Sequence, residues 1–190
     1  YWLPWYNNVE LDTQLRFANT SAQQATVSVF IGGNEMQGSP FTLAPGESTR
    51  KSFPGINSGP VKIQSNRNIV AAERLIYKGA GGTGTSFTEM MALPNNQLDN
   101  TYWLPWYNNR DLDTQLRIAN VTTSPATVTV TIAGVPQPSF NLAAGESTRK
   151  SYPGVNNGPV KIFSTHGVPI VAAERLIYKA NGVNTSFSEM

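Results

Sequence analysis

The chain has 190 residues, of which 39% are hydrophobic and only 14% charged, with 14 basic and 12 acidic side chains. So sparse and balanced a charge excludes a polyanionic tail and argues against a dedicated nucleic-acid or acidic-membrane surface. There is no cysteine and a single histidine. Disulfide staples, zinc ribbons, iron–sulfur ligation and a thiol nucleophile are therefore excluded, and little His-dependent catalysis is possible. No run approaches the ~18 apolar residues of a membrane span. The sequence opens at Tyr1 rather than Met, so a processed chain or a piece of a longer one is expected.

In chain order, the first segment is Tyr1-Trp2-Leu3-Pro4-Trp5-Tyr6-Asn7-Asn8. Thr13–Asn19 then alternates, with Leu15 and Phe17 on one face, and Thr26–Ile31 puts Val27, Val29 and Ile31 together. Period-two alternation of β-branched and aromatic residues marks half-buried strands. Phe41–Leu43, Ser48–Phe53, Pro60–Ser65, Ile69–Tyr77 and Thr85–Leu93 read in the same way. The punctuation is regular: Gly32-Gly33, Pro45-Gly46, Pro54-Gly55, Ser58-Gly59-Pro60 and the glycine-rich 79–84. Proline fixes φ and glycine accepts φ > 0, so these are turns. No long window carries a helical stripe.

The whole pattern then recurs. Tyr102–Asn109 repeats Tyr1–Asn8, Asp113–Arg117 repeats Asp12–Arg16, Gly145–Ser151 repeats Gly46–Ser52, and Ile170–Lys179 repeats Ile69–Lys78. This is a tandem duplication, with repeat 1 at 1–90, a short stiff linker at 91–101 and repeat 2 at 102–190. The second copy stops at Met190, the counterpart of Met90, which suggests two repeats cut from a longer array. About seven short strands per repeat predicts an all-β chain of two tandem immunoglobulin-like β-sandwich domains.

The Asn-Thr-Ser, Ala-Thr-Val-Ser-Val and Phe-Thr-Leu-Ala-Pro-Gly-Glu-Ser-Thr progression resembles the immunoglobulin-like repeats of secreted and surface-anchored bacterial proteins. The Trp-rich start and the Ile-Val-Ala-Ala-Glu-Arg-Leu-Ile-Tyr strand resemble one subgroup of these, tandem extracellular repeats of unassigned function. The resemblance implies an extracellular or cell-surface location and a stalk, adhesin or filament role. It implies no catalytic residue and no cofactor.

Three groups of residues are candidates for a site. Glu73-Arg74 and Glu174-Arg175 lie in the most apolar strand, so whichever face turns inward carries a charge. A buried charge must be paired or hydrogen-bonded. A structural ion pair is expected, with Glu73 bound to backbone amides or to an arginine such as Arg16, and Arg117 in the same place in repeat 2. All four tryptophans fall in the two Trp-Leu-Pro-Trp-Tyr motifs. Trp2, Trp5, Tyr6, Trp103, Trp106 and Tyr107 are expected at a repeat or subunit interface with Leu93 and Pro94, because Trp anchors interfaces. In particular, Trp103 or Trp106 is expected against repeat 1 or the linker. Stacking on a glycan is the alternative.

Asn7, Asn8, Glu10 and Asp12 recur as Asn108, Asn109, Asp111 and Asp113; they offer oxygens to calcium or, more simply, cap turns. Asn19, Asn120 and Asn184 begin N-glycosylation acceptor tripeptides.

The expected function is a non-enzymatic structural repeat that builds a stalk, surface layer or filament by head-to-tail packing with itself. The alternative is an adhesin or carbohydrate-binding module. No nucleic-acid partner and no membrane span are expected.

Overall fold

The computed structural model describes residues 1–78, 82, 84–180 and 182–190. The glycine-rich turn expected at 79–84 lies largely outside them. The chain is all-β, with 59% of residues in strands, and two single-turn 3₁₀ segments, Asn95–Gln97 and Thr165–Gly167, are its only helical pieces among the described residues.

Four antiparallel sheets carry the fold, two from each repeat. Trp2–Leu3, Val61–Ser65, Ala25–Ile31 and Asn34–Glu35 form the first in that order, with Phe41–Leu43 also on Ala25–Ile31. Gly84–Met91, Ile69–Lys78, Asp12–Asn19 and Ser48–Lys51 form the second. Repeat 2 supplies the third, ordered Ser147–Lys150, Asp113–Asn120, Ile170–Ala180 and Val183–Glu189. Its other sheet, the fourth, is ordered Thr101–Leu104, Val160–Ser164, Ala126–Ile132 and Val135–Pro136, with Phe140–Leu142 also on Ala126–Ile132.

These sheets are arranged as a four-blade β-propeller, which corrects the expectation of two tandem immunoglobulin-like sandwiches. The strand order shows why the alternation misled. Here Val61–Ser65 pairs with Ala25–Ile31, whereas the next strand, Ile69–Lys78, crosses to pair with Asp12–Asn19. Period two says which residues share a face; it does not say which strand is the neighbour.

The cores follow from the alternation. Val27, Val29 and Ile31 of the first blade meet Leu15, Phe17 and Ala71 of the second in one buried cluster. The fourth and third blades meet likewise through Val128, Val130, Leu116 and Ile118. A third, smaller cluster joins the repeats: Leu11, Leu75 and Tyr77 from repeat 1 with Ile177 and Phe187 from repeat 2.

Tyr6 and Tyr107, expected at an interface, belong instead to the cores and are fully buried. The Tyr6 hydroxyl donates to Thr13 O at 2.9 Å and accepts from the Phe53 amide at 2.8 Å. Tyr107 does the same with Thr114 O and the Tyr152 amide. A buried phenol needs such partners, and both repeats supply them locally.

The linker is divided between the two repeats. Leu93 exchanges two backbone hydrogen bonds of 2.8 Å with Trp2, so Leu93 and the adjoining Pro94 stay with repeat 1. Asp99 O accepts from the Ile170 amide at 3.0 Å, so the far end belongs to repeat 2.

Candidate functional site: the junction between repeats

The two repeats have nearly the same sequence but not the same burial, and the differences outline a junction. In repeat 1 the outward face of the second blade, with Val70, Phe87 and Met91, is exposed. In repeat 2 the same face of the third blade is buried: Arg117, Ala119, Val171, Ala173, Arg175, Ile177, Phe187 and Glu189. What covers it is one end of repeat 1. That end comprises the Pro4-Trp5 corner, Gly59, Leu11, and the inward side of Ile69–Lys78 beyond Ala71.

Alternation builds this end. Ile69 and Ala71 point into the core of repeat 1; Glu73, Leu75 and Tyr77 continue the same face past it. Tyr77 meets Phe187 edge-on, with ring centroids 6.0 Å apart. Thr88 Oγ1 accepts the Glu189 amide at 3.2 Å. The Arg117 guanidinium lies over the Trp5 ring at 5.0 Å, a cation–π contact held away from water. Trp5 Nε1 donates to Asn57 Oδ1 at 2.7 Å, which fixes the ring. Gly59 sits so tightly between Pro4 O and Ser147 Oγ that a Cβ there would lie 2.6 Å and 2.9 Å from them. A side chain at 59 would press first on Pro4 O of its own corner and then on Ser147 of the third blade.

The charged pairs differ from expectation. Glu73 and Glu174 do face inward and are buried, but neither is bound by Arg16 or by a backbone amide. Oε1 of each carboxyl has no hydrogen-bond partner among the described residues. The arginines pair instead with the neighbouring strand: Arg74 Nε with Glu89 at 2.8 Å, with Arg16 Nε 3.5 Å from the same oxygen. In repeat 2, Arg175 places Nε at 2.7 Å and Nη2 at 2.6 Å from Glu189 Oε1. Glu89 and Glu189 are not among the expected partners, because the expectation looked to Arg16 on the Asp12–Asn19 side of the strand and not to the strand on its other side. Their signal is a carboxylate directly opposite each arginine once the Thr85–Leu93 strand is paired with Ile69–Tyr77.

Burial sets the protonation of this cluster. Desolvation pushes the Glu73 carboxyl well above the usual carboxylate range, and the nearby Glu189 adds to it, against Arg175 and Arg117. Burial lifts Glu174 to about 7. Desolvation and the neighbouring Arg175 pull Arg117 down to about 9, which leaves it charged at neutral pH.

The tryptophans are not placed as the repeat pattern suggested. Trp103 and Trp106 do not pack on repeat 1 or the linker; they are 61% and 53% exposed. Trp5 is the one that meets the other repeat. Trp2 lies along the linker, where Nε1 donates to Asn95 Oδ1 at 3.0 Å. The junction thus joins the Trp motif of the earlier repeat to the sheet face of the later one, so the second copy of the motif is left outside it.

The remaining candidates are structural. Asn7 Oδ1 accepts the Val9 and Glu10 amides, and Asn108 Oδ1 accepts those of Arg110 and Asp111. These oxygens cap turns, and no group of three metal-ligating side chains is found among the described residues. Asn19 and Asn120 are buried, with Nδ2 of each donating to three backbone carbonyls. Their amides are therefore closed to glycosylation in the folded chain. Asn184 is only partly buried. No helix among the described residues is long and apolar enough to cross a membrane.

The chain matches no family model and no curated protein.

Proposed function

We propose that this chain is a non-enzymatic structural repeat, extracellular or at the cell surface, that builds a stalk, layer or filament from head-to-tail joints. One observation carries the reading: the joint between repeats is made of two different surfaces, and each repeat has both. Such a heterologous contact leaves one surface of each kind free, and it builds an open filament wherever its rotation does not close into a ring. The joint is built as a lasting one, with aromatic anchors, a desolvated ion pair and a glycine cut to fit, all features of a well-packed interface centre. The recurring carboxylates Glu73 and Glu174 are enclosed in the interior rather than opened to a cleft, which favours a structural role over acid–base chemistry.

The exposure of Trp103 and Trp106 favours a second reading, stacking on sugar faces; a tryptophan fluorescence shift on adding a glycan panel would support it. Negative-stain imaging of native material tests the main reading. Fibres or ordered layers are expected, and a field of isolated short particles would contradict it.

A further inference from the structure

The joint inside the chain is a template for a joint between chains. We propose that the free outward face of the second blade and the free end of repeat 2 are complementary docking surfaces, and that each is filled by a second copy of this chain. This rests on the head-to-tail reading above and names the residues that would make the contact.

The aromatic partners in the internal joint have counterparts at free surfaces, in the same strand and on the same face. Phe187, buried against Tyr77, corresponds to Phe87, which is 63% exposed; Tyr77 corresponds to Tyr178, which is 54% exposed. Phe87 already has Arg74 5.0 Å from its ring centroid, as Phe187 has Arg175 at 5.5 Å. Pro4 is buried in the joint, whereas Pro105 and Trp106 stand exposed at the end of repeat 2.

The seat for that corner is already present on repeat 1. A cleft of about 430 Å³ is lined by Arg16, Ala18, Ser48, Arg50, Val70 and Ala72 among others. Their equivalents in repeat 2 include Ser147, against which Gly59 is wedged, and Arg117, which covers Trp5. Gly158 bears the same relation to Pro105 and Trp106 as Gly59 does to Pro4 and Trp5: a Cβ there would lie 2.4 Å from Pro105 O.

Charge agrees with shape. The free face carries Arg16 and Arg74 beside Glu89, as the covered face carries Arg175 against Glu189. Apolar faces, arginines and a carboxylate thus recur at the same positions on both sides. A second copy of this chain satisfies all of them at once.

Sedimentation velocity on the purified chain over a wide concentration range tests this, with Phe87→Asp and Tyr178→Asp as single-surface variants. Both substitutions are at exposed positions, and circular dichroism melting checks that each variant folds. Wild type is expected to grow with concentration into a series of oligomers. Each variant alone is expected to stay monomeric, and a mixture of the two is expected to stop at dimers, because each retains the surface the other has lost. A wild type that remains monomeric throughout, or a variant that still forms the full series, would overturn the proposal. Fibres in native material that survive both substitutions would overturn these surfaces while leaving the structural-repeat reading intact. A two-fold dimer abolished in the mixture would likewise contradict a head-to-tail contact.

Discussion

Arg175→Ala is expected to lower the unfolding free energy by about 3–5 kcal/mol, whereas Arg74→Ala costs less than about 1 kcal/mol. The two arginines occupy the same position in the repeat and face the same kind of carboxylate. Their surroundings decide the difference. The side chains of Arg175 and Glu189 are 6% and 3% exposed, while those of Arg74 and Glu89 are 28% and 41% exposed. Removing Arg175 strands a buried carboxylate with one oxygen, Oε2, already lacking a partner. Removing Arg74 leaves Glu89 in water, where it is readily solvated. Urea unfolding of the two variants measures this directly. Equal losses would mean that repeat 1 does not cover the third blade in solution.

Glu174→Gln is expected to stabilise the chain at pH 8 and to leave it nearly unchanged at pH 4. Burial raises the folded pKa of Glu174 from the ordinary 4.5 to about 7. Between these values the folded chain keeps a proton that the unfolded chain has released. Stability from this group is therefore full below about pH 4.5, falls as pH rises towards 7, and is lost above it. A difference of this size sets an upper bound of about 3 kcal/mol, which solvent screening lowers. Glu73 shifts in the same direction, so the difference between wild type and Glu174→Gln isolates the one group. Melting curves from pH 4 to pH 8 check it; a difference that does not vary with pH would show that Glu174 is hydrated and ionised at neutral pH.

Much of the local structure was legible in the sequence. The duplication is written in Trp2–Asn8 and Ile69–Lys78 and their copies. The strands follow from alternations such as Val27, Val29 and Ile31, and alternation also put Glu73 on the same face as Ala71 and Leu75. The arrangement of the sheets was not legible, because the crossing of Ile69–Lys78 to Asp12–Asn19 is decided by strands distant in sequence. Nor was the site. Trp5 and Trp106 have identical neighbours in sequence, yet Arg117 covers the first and nothing described covers the second. Arg74 and Arg175 sit in identical decapeptides and differ only in what lies over them. A difference imposed by the neighbouring repeat has no local signal. What the duplication does carry is the possibility of such a joint, since two copies of one repeat present each surface twice.

The rigidity of the joint is the central claim, and ¹⁵N NMR relaxation measures it most directly. With Trp5, Tyr77 and Thr88 of repeat 1 seated on Arg117, Phe187 and Glu189 of repeat 2, amides in Ala25–Ile31 and Ala126–Ile132 should fit one diffusion tensor at dilute, monomeric concentration. Separate, shorter correlation times for the two repeats would contradict the account, because they would show the repeats to be tethered beads rather than a joined unit.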